Sequence, residues 1–396
     1  MGFRVSFRIA ATGLVVLCSA ALTPIGDSAA PPDFGQPLAG LPADLVDRFN
    51  DGKTEFEGVE TVEEGVGPIM NDVSCASCHL AGAIGGGSTT LETRFGRMGN
   101  DGLFDPMSSA GGSLIQKQGI GATGVCEYLS EIVPPDATIT ADRRTTPLFG
   151  LGLVDAVPDS TFYAIAYEEK FHPDGIAGLV SVVTRNATGK QAVGKFGWKC
   201  QNPSLFQFSG DAYINEMGIT NPEFPDESCP QGDCNLLSCN PMPGVNDDGT
   251  GVQEFTDFMT FLAPPPRGPI TAQAAFGELV FLGIGCNGCH RSEIRTGSSP
   301  VTALNKVKFH PYSDFLLHDM GSLGDGITQN LATGQFMRTA PLWGLRKITT
   351  YLHDGRATTL DAAILAHAGQ AKKARDRYAA LPGYKKAWLV SFLNSL

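Results

Sequence analysis

Two Cys-x-x-Cys-His segments, Cys75-Ala-Ser-Cys78-His79 and Cys286-Asn-Gly-Cys289-His290, constrain this chain more than any other feature. The spacing is that of covalent haem attachment. Two thiols add across the vinyl groups of the porphyrin, and the histidine that follows becomes the proximal iron ligand. A structural Cys/His zinc site is the competing reading of such spacing. Two copies in a chain that opens on an export signal favour haem. Two covalently bound haem c groups are therefore expected, held by Cys75, Cys78, Cys286 and Cys289, with their irons on His79 and His290. A chain wrapped around two macrocycles should be loop-rich, and the 48 glycines and 26 prolines agree.

Residues 1–30 read as a signal peptide. Arg4 and Arg8 form the basic segment, Ile9 to Leu22 the apolar run, and Ser28-Ala29-Ala30 a cleavage site, with Ser19-Ala20-Ala21 as the alternative. The run is short for a bilayer span, so no stable membrane anchor is expected. An uncleaved anchor is the competing reading. A periplasmic location follows. The formal net charge of -12 argues against nucleic acid. Outside the signal and the haem motifs, Cys126, Cys200, Cys229, Cys234 and Cys239 remain. An oxidising compartment pairs most of them, and the odd count leaves at least one free or paired between chains. Asp247-Asp248 before Gly249 lacks the alternation and closing glutamate of a calcium loop and reads as a turn.

Arg144-Thr-Thr-Pro-Leu-Phe-Gly-Leu151 recurs as Arg338-Thr-Ala-Pro-Leu-Trp-Gly-Leu345, with six of eight positions identical. Each copy follows a haem motif, which suggests two units descended from one. The boundary falls at Phe261-Leu-Ala-Pro-Pro-Pro-Arg267, where three prolines end the helical pattern of Val252 to Leu262. Thr271 to Leu282 and Ala43 to Phe49 read as the helices ahead of the two haem motifs. Val180 to Thr184 reads as a strand.

The sixth ligand decides whether an iron only passes electrons or also meets a substrate. The chain has seven histidines. For the second haem, Thr358-Thr-Leu-Asp361 reads as a capping box opening a helix on which Leu360, Ile364 and His367 share a face, with Gly369 to end it. His367 is thus the expected ligand and His353 the rival. The first haem has no such partner. The repeat sets Asp159 where His353 would stand, and only His172 follows His79 in that half. Met98 and Met107 are the alternatives. An open first iron is the reasonable inference, with Glu168 and Glu169 as proton donor and acceptor if they reach it; two solvated carboxylates are the plainer reading. Trp343 is either an electron relay between the haems or a core residue, and Trp388 reads as packing.

These segments, together with Phe196-Gly-Trp-Lys199, the stretch Tyr312 to Gly321, Tyr351-Leu-His-Asp-Gly-Arg356 and Phe392-Leu-Asn-Ser-Leu396, resemble the bacterial di-haem oxidoreductase family. That family is a branch of the di-haem cytochrome c peroxidase superfamily. The resemblance implies a mainly α fold of two cytochrome c-like haem domains with loop-rich insertions. Residues 31–265 would form the N-terminal haem domain with its insertion, and 266–396 the C-terminal one. It also implies that the C-terminal haem passes electrons to an N-terminal haem that reacts with hydrogen peroxide or a similar small oxidant. A small soluble cytochrome or copper protein would be the donor. In peroxidase members a methionine fourteen residues after the histidine of His-Asp-Gly completes the C-terminal haem. Here that position is His367, which implies bis-histidine ligation. A calcium ion between the domains rests on the resemblance alone. The N-terminal half departs from the pattern. It lacks the Trp-Asp-Gly-Arg-Ala segment, a clear Gln/Glu acid–base pattern and the displaceable histidine, and no catalytic residue is assigned. Two other readings stand beside a peroxidase: a pure electron carrier with both irons closed, and an oxidant of a protein or organic substrate.

Overall fold

Each half of the chain is organised by two crossed helices that meet at a glycine. The computed structural model describes residues 1–2 and 31–396, so the apolar run and cleavage sites of the expected signal lie outside the described residues. Helices α1 (Ala43–Glu57), α2 (Asp159–Glu169), α3 (Leu205–Met217) and α4 (Thr250–Phe261) belong to the first half. Helices α5 (Ala272–Gly283), α6 (Leu360–Ala366), α7 (Lys372–Ala379) and α8 (Gly383–Leu393) belong to the second. On α1, Phe49, Gly52 and Phe56 share the buried face. A Cβ on Gly52 would stand 2.1 Å from the Glu254 carbonyl oxygen of α4, so only glycine lets the helices approach this closely. Phe49 and Phe56 then close on Phe258, with ring centroids 5.4 and 4.8 Å away. The second half repeats the device. A Cβ on Gly277 of α5 would stand 1.9 Å from the Trp388 carbonyl oxygen of α8, and Phe281 meets Phe392 at 5.2 Å. In both halves the first helix of the pair leads toward a haem motif.

The fold is not mainly α. Helix accounts for 35% of the residues and strand for 15%, a mixed architecture of small separate sheets. Strand β1 (Leu91–Met98) pairs antiparallel with β2 (Ile139–Arg144), from Leu91↔Arg144 to Gly96↔Ile139. β3 (Val182–Thr184) pairs with β4 (Gln191–Val193). β5 (Leu317–Asp319) pairs with β6 (Phe336–Arg338), with Leu317 opposite Arg338. The glycines and prolines break the chain into runs too short for helices, and such runs satisfy their backbone groups by pairing. The two repeat arginines each end a strand, Arg144 on β2 and Arg338 on β6.

The larger hydrophobic core joins α1, α3 and α4 and reaches Phe309 and Trp343 of the second half. A second core holds Phe281, Tyr312, Leu360, Tyr378, Leu389 and Phe392. Cys126 pairs with Cys239 and Cys229 with Cys234. Cys200 stays a buried thiol. Asp247 forms the expected turn, accepting from the amides of Gly249 at 3.0 Å and Gly251 at 2.9 Å.

Candidate functional site

Two cavities open inside this frame, one at each Cys-x-x-Cys-His segment. The larger, about 2060 Å³ counting its mouth, is walled by Cys286, Cys289 and His290, by α6 with His367, and by Leu389 and Leu393 of α8. The rings of His290 and His367 face each other with centroids 6.5 Å apart. A metal held between two imidazoles at about 2 Å from each nitrogen requires a separation of roughly 6 Å. His290 Nδ1 bonds the Tyr312 carbonyl at 2.9 Å, and His367 Nδ1 bonds the Ala363 carbonyl at 2.8 Å. Donation from Nδ1 fixes the tautomer and leaves Nε2 free to bind a metal. Burial, with His367 opposite, pushes His290 down to about 4, and burial lowers His367 as well. Both rings are neutral, the form that ligates.

The helix expected around His367 forms, with Thr359 capping it through the Ala362 amide at 3.1 Å. The expected Thr358/Asp361 capping box does not form, because the cap falls one residue later, on Thr359, and Asp361 accepts from the Tyr378 hydroxyl at 2.7 Å. His353 also walls the larger cavity, but its ring lies 6.2 Å from that of Trp198.

The smaller cavity, about 1350 Å³, is walled by Cys75, Cys78 and His79. His79 Nδ1 bonds the Gly86 carbonyl at 2.9 Å, and burial holds the ring down at about 4. Among the described residues, no second histidine walls this cavity. The sequence candidates lie elsewhere. His172 Nε2 would be 3.1 Å from a Cβ on Gly288, against the second haem motif. Met98 is exposed, and Met107 packs with Phe95 and Ile115 in a cluster of its own. Glu168 pairs with Arg291 at the surface, at 2.7 Å. Glu169 lies 3.9 Å from His318, which bonds Asp314 at 2.9 Å. Burial, then the charge of Asp314, pushes Glu169 up to about 8.

Beside Arg143 and Arg144 of β2 and the loop residues Asp72 and Lys117, the charged groups that wall the smaller cavity are Glu92 and Arg94 of β1 and Asp211 and Glu216 of α3. Burial works to raise Glu92, but Arg94 and Arg143 outweigh it and hold the carboxyl below its usual range. Burial, then the negative charge of Glu92, pushes Glu216 up to about 7. Glu216 accepts from the Asn71 amide at 2.8 Å. One cavity thus holds a fixed carboxylate, a guanidinium and a carboxyl that gains or loses its proton near neutrality, the components of acid–base work. None of these residues was indicated by a motif. The faint signal is the i, i+2 spacing of Glu92 and Arg94, which puts both on one face of a strand.

Trp198 walls both cavities, with Nε1 donating to the Arg144 carbonyl at 2.9 Å. Trp343 walls only the larger one and packs on Phe309 at 5.9 Å, so it does not stand between the two.

The residues fit a haem in each cavity. All four motif cysteines are free thiols in a chain that pairs four others, and each proximal histidine presents an unprotonated Nε2. The walls of the larger cavity are mostly apolar yet keep two buried donors without partners, Arg144 Nε and Trp343 Nε1. A flat apolar macrocycle with carboxylate tails matches that combination.

Residues 125–396 match the family described as "Di-haem oxidoreductase, putative peroxidase". The chain is also similar to solved structures. Kuenenia stuttgartiensis hydrazine synthase is 13% identical at a TM-score of 0.40, covering 98% of this chain and 100% of that one. A MauG-like protein associated with microbial copper homeostasis is 14% identical at 0.40, covering 93% and 94%. The diheme peroxidase BthA of Burkholderia thailandensis E264 is 14% identical at 0.39, covering 93% and 89%. The comparison with curated proteins gives no significant match.

Proposed function

Since the chain belongs to the di-haem oxidoreductase family, peroxidase-type enzymes with two haem c groups, we propose that its two cavities divide the work of reducing a peroxide. Cys75 and Cys78 would hold one haem, with His79 as an iron ligand. Cys286 and Cys289 would hold the other, with His290 and His367 as iron ligands. Residues 31–265 and 266–396 are then two haem domains that meet at the Pro264–Arg267 linker. When bound, the second haem supplies stored electrons and the first supplies the metal chemistry of O–O cleavage.

The chain's own residues do the rest. Nδ1 bonds to carbonyls hold the three histidines in the ligating tautomer. Glu216 takes the first proton from an entering peroxide at its carboxylate and returns it to the departing oxygen. Arg94, kept cationic by Glu92, offers donors to the charge that develops there. Two electrons and two protons convert one peroxide to two waters. Trp198 is the indole on the path between the cavities. Electrons arrive from a small soluble redox protein, in the periplasm. No helix among the described residues is long and apolar enough to cross a membrane.

One observation carries this reading: a histidine faces His290, whereas none among the described residues faces His79. The test is the EPR spectrum of the ferric protein matured with its haems. One high-spin and one low-spin signal are expected. Two low-spin signals would overturn an open first site and favour a pure electron carrier.

A further inference from the structure

Arg144 is a buried cation that no carboxylate pairs. Its side chain is 7% exposed and walls both cavities. Among the described residues no aspartate or glutamate lies within ion-pair range of it. One terminal nitrogen reaches the Thr350 carbonyl, and Nε has no partner at all. Its backbone is fixed from both sides, the amide donating to the His353 carbonyl at 2.7 Å and the carbonyl accepting from Trp198. The neighbouring Arg143 is also buried but has carboxylate partners, Asp325 at 2.7 Å and Glu92 at 3.8 Å. A guanidinium buried without a counter-charge is costly. This one is rigidly held and fork-shaped, the geometry that suits carboxylates.

The internal repeat supplies a comparison. Arg338, the counterpart of Arg144, is also buried without a carboxylate. It donates to the Gly197 carbonyl at 2.8 Å, lies over Phe315, and walls the larger cavity only.

We propose that Arg144 is a shared anchor for the carboxylate tails of both haems, standing between the two cavities and coupling the two irons electrostatically. This rests on the placement of one haem in each cavity, though not on either being open. Neutralising the tails stabilises the reduced, less positive iron of each haem, so losing the guanidinium lowers both potentials.

The experiment is a potentiometric titration of the matured protein, followed by optical and EPR signals of each haem, in wild type, R144Q, R144K and R338Q. In R144Q the ratio of ferrous to ferric iron at a fixed ambient potential should fall about tenfold in both haems, a drop of about 59 mV for one electron. R144K should move both in the same direction by less, and R338Q should move only the second. A shift in one haem alone, or in neither, on R144Q overturns the shared anchor. Haem content and circular dichroism establish that the variant has matured. If R144Q does not mature, R144K decides, and unchanged potentials in it overturn the proposal. Two low-spin haems in wild type would remove the peroxidase reading but leave this test intact.

Discussion

Glu216 carries the pH dependence of the smaller cavity. Its carboxyl titrates at about 7 in the fold and near 4.3 when unfolded. The folded chain therefore holds that proton more tightly, and the stability it contributes is full below about pH 4 and lost as pH rises through about 7. E216Q cannot ionise, so it should gain stability over wild type between pH 5 and pH 8, on the order of 2 kcal/mol, in chemical denaturation. As a proton acceptor, Glu216 must be ionised to take a proton from peroxide. kcat/KM for peroxide should thus rise with pH through about 7, and E216Q should flatten that limb; a profile unchanged in E216Q assigns the proton to another group. His367 makes a second prediction at this scale. H367A should convert the second haem from low to high spin in EPR, whereas H353A should leave its spin state alone. A low-spin second haem in H367A excludes His367 as the ligand. That the motif cysteines, His79, His290 and His367 would line two cavities was legible because the Cys-x-x-Cys-His spacing and the helical spacing are local patterns. Glu92, Arg94 and Glu216 were not, because β1 and α3 meet only through the tertiary fold and no motif spans them.

The glycine crossings set the geometry of the helices. Alanine in place of a glycine at an exposed helical position usually stabilises by about 1 kcal/mol. At Gly52 and Gly277 the sign should reverse, because a Cβ would stand 2.1 and 1.9 Å from carbonyl oxygens that cannot leave their helices. G52A and G277A should each destabilise the matured protein by about 1–3 kcal/mol in urea; an unchanged midpoint would mean the helices can move apart freely. The helices themselves were legible, since Val252 to Leu262 and Thr271 to Leu282 lie within two residues of α4 and α5 at each end. The crossings were not, because a glycine in a helical pattern does not say what it approaches. The strands between His79 and Arg144 were missed for another reason. β1 is half-buried along most of its length and carries charges on both sides of Phe95. Its alternation is blurred, and the expectation of a mainly α fold left that region unassigned.

At the scale of the whole molecule, the two halves are clasped by a buried ionic knot that no single segment predicts. Asp325, from the second half, forms ion pairs with Arg143 at 2.7 Å and with Lys199 at 2.8 Å, both from the first. All three side chains are almost fully buried. Burial alone would raise the Asp325 carboxyl, but Arg143 and Lys199 outweigh it and hold it below the usual carboxylate range. A buried ion pair adds little over a well-packed apolar substitute, yet removing one partner strands the others at a cost of about 3–5 kcal/mol. D325A strands Lys199, on the segment that follows Trp198, and leaves Arg143, on the strand that ends at Arg144, only its 3.8 Å contact with Glu92. It should therefore destabilise the protein by at least that amount in denaturant titration. The triple variant D325A/R143M/K199M, which leaves no stranded charge, should recover most of the loss. A D325A midpoint within about 1 kcal/mol of wild type would mean that water or another group reaches the knot, and that the apolar contacts of Phe309 and Trp343 suffice to hold the halves together.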